Sequence, residues 1–170
     1  SLTEIILSGG DPLSLSDEKL TRLLRQLDAI AHIQLIRIHT RLPIAIPERI
    51  SPELTETISN LSTPVICILH INHPREIDSD VKRALHQLPG VQLLCQSVLL
   101  KGVNDNLETL KELSYKLIDS GILPYYIHQL DRVDGAAHIE VSAERGLKLI
   151  EQMRESMPGY LVPRYMQEIP

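Results

Sequence analysis

The chain has 170 residues, and its 17 lysines and arginines stand against 22 aspartates and glutamates, for a formal charge of −5. Apolar residues supply 43%, an ordinary share for one globular domain, and no apolar run nears the roughly 20 residues that cross a bilayer. A mildly acidic chain without a basic tract offers nothing to a phosphate backbone, and with neither Phe nor Trp it lacks the aromatic platforms on which single strands stack. Membrane and nucleic-acid partners are therefore excluded, and the core must be built from Leu, Ile and Val.

The elements come in alternation. Strands are predicted over Thr3–Ser8, Gln34–His39, Pro64–Ile71, Val91–Gln96, Ile122–Gln129 and Tyr160–Arg164. Each is a short, near-continuous apolar run of the kind a strand buried on both faces requires. Helices are predicted between them. The first follows the cap Ser16-Asp17-Glu18 and carries the stripe Leu20, Leu23, Leu24, Leu27. The second starts at Ser51-Pro52-Glu53, with Pro at the first helical position. Asp78–Leu88, Asn106–Ser120 and Ser142–Ser156 complete the set. Strand starts recur about every 30 residues, the length of a βαβ unit, which implies parallel strands joined by right-handed crossovers. The expected fold is α/β, a single domain over residues 1–170. A complete eight-stranded barrel needs about 250 residues, so either a doubly wound sheet or a part-barrel fits.

Cys67 and Cys95 lie in the apolar runs VICIL and QLLCQ, away from any CxxC or zinc-ribbon spacing. They are expected to be buried free thiols in a reducing cytoplasm. The N-terminus has no secretory pattern and opens directly into a strand without an initiator Met, so the chain reads as a fragment or excised domain.

Parallel α/β folds place their sites at the carboxyl ends of the strands, so the residues after each apolar run carry the chemistry. Ser8-Gly9-Gly10-Asp11-Pro12 follows the first strand. Its glycines allow a positive φ and close approach of backbone to a ligand, while Asp11 offers a fixed acceptor; a plain tight turn satisfies the same residues. Neither GxGxxG nor a Walker lysine is present. His39-Thr40-Arg41 follows the second strand, and Arg41 suits a carboxylate or phosphate there, or simply a surface position. The third ends in His70-Ile71-Asn72-His73, too few donors for a metal site, and ordinary hydrogen-bonded histidines are expected. Gln96, at the predicted end of the fourth strand, must bond either backbone or ligand. The fifth runs through Tyr125, Tyr126 and His128 to Asp131, a carboxylate suited to an amine. Polar groups after five successive strands favour a common ligand site.

The ordered segments SGGDP, IRIHTRLP, HINHP, QSVLLKGVND, PYYIHQLD and GAAH resemble the lysine 2,3-aminomutase family of radical S-adenosylmethionine enzymes over essentially the whole chain. IHTR, PYYIH and GAAHI are most similar to the branch that makes (R)-β-lysine for elongation factor P; lysine-degrading members more often carry Gly at the His39 position and Tyr at the His128 position. The resemblance implies a partial parallel (βα)6 barrel. It also implies a 4Fe–4S cluster, S-adenosylmethionine and pyridoxal 5′-phosphate, which together move an amino group between adjacent carbons of lysine. By position, Ser8, Gly9, Gly10 and Asp11 match the segment that holds the methionyl amino group. His70 and Gln96 match residues lining the adenosylmethionine pocket, and His128 lies in the pyridoxal vicinity. Asp131 matches the carboxylate that takes the distal amine of lysine, and Glu168 matches a second acidic residue.

Two departures stand beside these matches. The family's CxxxCxxC run is absent, and two lone cysteines on separate strands do not replace it. The lysine that would carry pyridoxal phosphate also has no counterpart, since in the family it lies beyond the position of Glu168. The resemblance therefore implies a piece of an isomerase, inactive by itself, with no catalytic residue and no metal ligand of its own. Its open sheet edge would invite association. Two other readings remain: a cluster-less barrel that only binds adenosylmethionine or a nucleotide, and a phosphate-handling aldolase or lyase. Lys101 and Lys116 are poorly placed for the last of these.

Overall fold

The structure, a computed structural model, describes residues 2–131 and 137–167. Among them are strands β1 (Glu4–Leu7), β2 (Leu35–Thr40), β3 (Val65–His70), β4 (Gln92–Leu99), β5 (Ile122–Gln129) and β6 (Arg164–Met166), hydrogen-bonded in chain order. Helices α1 (Asp17–Asp28), α2 (Leu42–Ala45), α3 (Pro52–Ser59), α4 (Ser79–Leu85), α5 (Leu107–Asp119) and α6 (Ala143–Ser156) lie between them. The pairings β1–β2, β2–β3 and β5–β6 are parallel, as the repeat of βα units requires. The chain divides into two compact units, Ser1–His70 with Asp78–Leu94, and Ile71–Ile77 with Cys95–Pro170. Each is described by itself.

In the first unit the helices start where the sequence supplies a cap. The Ser51 hydroxyl accepts from Leu54 N at 3.0 Å, and the Asp78 carboxylate accepts from Asp80 N and Val81 N, both at 2.9 Å. Ser16 occupies the N-cap of α1 in extended backbone without a side-chain bond. Leu20 and Leu24, one turn apart, are fully buried, and the hydroxyls of Thr21 and Thr57 meet at 2.9 Å between α1 and α3. Helix α4 stops at Leu85, short of the predicted Leu88, because Pro89 follows and disfavours helical backbone before it.

Burial bears out the expectation of burial on both faces in β3, where Ile68 is buried opposite Val65, Cys67 and Leu69, and corrects it in β2. In β2 the residues alternate: Ile36, Ile38 and Thr40 are buried, while Leu35, Arg37 and His39 are half-buried. The register Leu7–Ile38–Cys67 and Ile6–Arg37–Ile66 carries both faces across three strands. One face packs on Leu13, Ile50, Leu54 and Leu88. The other carries Glu4, Arg37, His39 and His70, polar groups that keep it from closing into a dry core.

The second unit has its own core of Leu99, Leu110, Ile127, Leu149, Ile150 and Met153, drawn from β4, β5, α5 and α6. Gly146 is fixed in α6 by contact, since a Cβ there would stand 2.5 Å from the Tyr165 hydroxyl. Two strand bounds differ from expectation. Strand β4 runs past Gln96 to Leu99, because Ser97 and Leu99 continue the buried alternation of Leu93 and Cys95. Strand β6 begins at Arg164 and not at Tyr160: Gly159–Leu161 forms a 3₁₀ turn, and Pro163 has no N–H to give a ladder. No helix among the described residues is long and apolar enough to cross a membrane.

Candidate functional site

In the first unit the mouth of β1 is a turn of two consecutive residues at positive φ, Gly9 at 75° and Gly10 at 56°. Both are exposed, and a Cβ on either would meet nothing within 4 Å. Glycine is thus required here by backbone conformation and not by packing, and the space beside the turn is open to a ligand. Ser8 is exposed at the same mouth.

Asp11 faces the other way. Its Oδ1 accepts from Leu13 N at 3.0 Å and from the Thr40 hydroxyl at 2.6 Å; its Oδ2 accepts from Arg41 N at 2.8 Å and Leu42 N at 3.1 Å. Four donors fill the carboxylate's lone pairs, so Asp11 ties the mouth of β1 to the mouth of β2 and holds the turn in place. His70, the last residue of β3, meets His39 edge to face, with ring centroids 5.9 Å apart. Below them Arg37 pairs with Glu4, Nε to Oε1 at 3.1 Å, so charge is matched across the β1–β2 register.

In the second unit Gln96 lies within β4, on the half-buried face with Leu94 and Val98. Its carbonyl accepts from Ile71 N at 3.2 Å. His128 and Tyr126 share a face of β5 with ring centroids 5.7 Å apart, edge to face. Gln129, on the opposite face, bonds the Val141 carbonyl and accepts from the Tyr165 hydroxyl, whose burial pushes its pKa up. Asp131, just beyond β5, is exposed. Glu168 and Gly135 lie outside the described residues. His73 serves the backbone, Nδ1 accepting from Arg75 N, while Glu76 accepts from His73 N in a capping box.

Four residues here escaped the reading of the sequence. Thr40 is 2% exposed and donates to Asp11; the signal was a hydroxyl at a strand mouth within reach of an Asp-Pro turn. Arg37 and Glu4 are paired only by strand register, which no local pattern displays. Asn104, fully buried, receives Leu100 N and donates to the carbonyls of Asn72 and Val98. It holds the loop between β4 and α5.

Cys67 and Cys95 are both buried and unbridged. Burial, with the Asp11 charge for Cys67, pushes each thiol up to about 12 from an ordinary 9.0. Neither thiol should react with a disulfide reagent at pH 8 in the native chain, and both should react after denaturation; native reactivity would contradict this burial. The folded chain keeps these protons where the unfolded chain loses them, so stability falls as pH climbs from about 9 towards about 12. Among the described residues no cluster of three or more His, Cys, Asp or Glu could hold a metal ion.

Comparison with known proteins bears on this geometry. No family model matches the chain. It is 47% identical over 170 residues to the L-lysine 2,3-aminomutase of Escherichia coli K12, covering 99% of this chain and 50% of that protein. The chain is a homologue of the L-lysine 2,3-aminomutases. The L-lysine 2,3-aminomutase of Methanococcus maripaludis is 40% identical over 99% of the chain and 39% of its own length, and that of Clostridium subterminale 40% identical over 98% and 40%. The chain spans between about two-fifths and one half of the length of these curated aminomutases. Among solved structures, a radical SAM methyltransferase from Sphaerobacter thermophilus matches with a TM-score of 0.66 at 17% identity, over 100% of this chain and 52% of that one. A domain of a pyruvate-formate lyase-activating enzyme from Bacteroides vulgatus matches with a TM-score of 0.63 at 14% identity, over 98% and 99%. These two share the fold, and they bear out the expected partial (βα)6 arrangement.

Proposed function

We propose that the full-length protein is a radical S-adenosylmethionine and pyridoxal phosphate-dependent aminomutase. It would convert lysine to β-lysine by 2,3-migration of the amino group, in the cytoplasm, for the modification of elongation factor P. The observation that supports this most strongly is 47% identity over 99% of the chain to a protein named L-lysine 2,3-aminomutase. The elongation factor P assignment rests on His39 and His128, which separate the branches in the resemblance.

The residues fit one cofactor and not another. The open turn Ser8–Gly10 suits the methionyl end of S-adenosylmethionine, with backbone groups presented where no side chain intrudes. In the first unit the resemblance assigns His70 to this cofactor; in the second it assigns His128 to the neighbourhood of the pyridoxal ring, and Asp131 and Glu168 to the lysine ammonium. A 4Fe–4S cluster does not fit the cysteines present: both are buried, held protonated, and carried on separate strands. The proposal therefore places the cluster cysteines and the pyridoxal lysine outside these 170 residues. When bound, the cluster with adenosylmethionine supplies the radical, and pyridoxal phosphate supplies the group through which nitrogen moves. The residues of this chain bind, orient and neutralise: the turn fixes one end of adenosylmethionine, and Asp131 sets lysine's distal charge.

The test is anaerobic reconstitution of the full-length protein with iron, sulfide and a reductant. Lysine-dependent cleavage of adenosylmethionine to 5′-deoxyadenosine is expected; no cleavage in a protein carrying a full cluster would overturn the reading. The 170-residue chain, treated the same way, should stay colourless, and a stable brown species with near-stoichiometric iron would contradict the cysteine argument. A second reading is a binding barrel without catalysis, which the open turn at Ser8–Gly10 would serve equally. Calorimetry separates the two: adenosylmethionine binding with no turnover in the full-length protein supports the binder.

A further inference from the structure

Arg49 stands outside the strand mouths, at the end of the 3₁₀ turn Pro47–Arg49, yet its side chain is only 14% exposed. The guanidinium is turned back onto the segment between β1 and α1. Nε donates to the Leu13 carbonyl, Nη2 donates to the Leu15 carbonyl at 3.0 Å, and Nη1 pairs with Asp17 Oδ1 at 2.5 Å. The second oxygen of Asp17 accepts from the Ser51 hydroxyl at 2.6 Å, and Ser51 in turn caps α3. Arginine is the one side chain whose planar fork offers donors to three such acceptors at once; lysine has the charge without the fork.

The segment after the glycine turn is thus gripped at both ends. Asp11 binds Thr40, Arg41 and Leu42 at one end, and Arg49 holds Leu13, Leu15 and Asp17 at the other. Between β1 and this gripped stretch lie only Ser8, Gly9 and Gly10, exposed and with open space about both glycines. A pair of glycines has wide conformational freedom, and its shape has to be imposed by what flanks it. We infer that Arg49 is a positioning residue for the glycine turn, acting through the Leu13 and Leu15 carbonyls to fix the backbone that meets the ligand. The ligand's identity rests on the adenosylmethionine reading above; the grip on the turn does not.

The experiment uses the reconstituted full-length protein with Arg49→Lys and Arg49→Gln. Two quantities are read: hydrogen exchange of the peptide holding the Leu13–Leu15 amides, and the dissociation constant for S-adenosylmethionine. Both variants should exchange that peptide at least about tenfold faster while the β2 and β3 peptides keep wild-type rates, and both should bind adenosylmethionine about tenfold more weakly, with cluster absorbance unchanged. Wild-type exchange and wild-type affinity in Arg49→Lys would overturn the inference, as would a uniform rise in exchange across the whole unit. If the wild-type protein itself fails to bind adenosylmethionine, the functional reading falls, and the exchange of Leu13–Leu15 alone decides the role of Arg49.

Discussion

Replacing Asp11 by alanine is expected to lower the stability of the chain by about 2–4 kcal/mol. The carboxylate takes hydrogen bonds from three backbone amides and from the Thr40 hydroxyl, which is itself 2% exposed. Without the carboxylate, the Thr40 hydroxyl and the Leu42 amide keep only each other, at 3.1 Å, and the Leu13 and Arg41 amides lose their acceptor. Asp11→Asn should fall between the two, because an amide keeps one acceptor but turns a donor towards N–H groups that already donate. Thr40→Val, which removes one donor and keeps the shape, should cost about 1 kcal/mol. Urea denaturation of the three variants measures the series. In the full-length protein, Asp11→Ala should also weaken adenosylmethionine binding, since the turn then loses one of its two anchors. An Asp11→Ala chain as stable as wild type would show that the carboxylate is idle.

If the proposed function holds, Asp131→Asn in the full-length protein is expected to lower kcat/KM for lysine by about tenfold to a hundredfold. A carboxylate facing an ammonium contributes through charge as well as hydrogen bonding, and asparagine keeps the shape but loses the charge. Cluster absorbance and adenosylmethionine affinity should not change. Glu151→Gln, an exposed acidic position on α6, is the control for a general effect of charge. Unchanged turnover in Asp131→Asn would remove Asp131 from the lysine site.

The parts of this molecule that could be read from sequence are those with local causes. A βα repeat shows itself in apolar runs spaced about a unit apart, and Ser51, Asp78, Asn106 and Ser142 mark helix starts because capping depends on a residue and its next three neighbours. The glycine turn could be read for the same reason, since two adjacent glycines signal backbone freedom directly. What escaped depends on register and distance. Arg37 meets Glu4, Asp11 meets Thr40, and Arg49 meets Leu13 only because parallel pairing brings β1 and β2 side by side. No spacing within either segment carries that information. Gln96 has the polarity of a strand end, yet period two makes it only the half-buried member of an alternation that carries β4 on to Leu99. The last strand was placed too early because Tyr160, Leu161 and Val162 form an apolar run, and Pro163 moves the pairing past it.

Nitrogen tracking in the full-length reconstituted protein tests the central claim most directly. L-Lysine labelled with 15N at the α-amino group is supplied with adenosylmethionine, pyridoxal phosphate and a reductant, and the product is read by mass spectrometry and NMR. The account predicts β-lysine with the label on the β-nitrogen, formed from the same molecule that supplied it. Labelled lysine recovered unchanged from a protein with a full cluster and bound adenosylmethionine would contradict it.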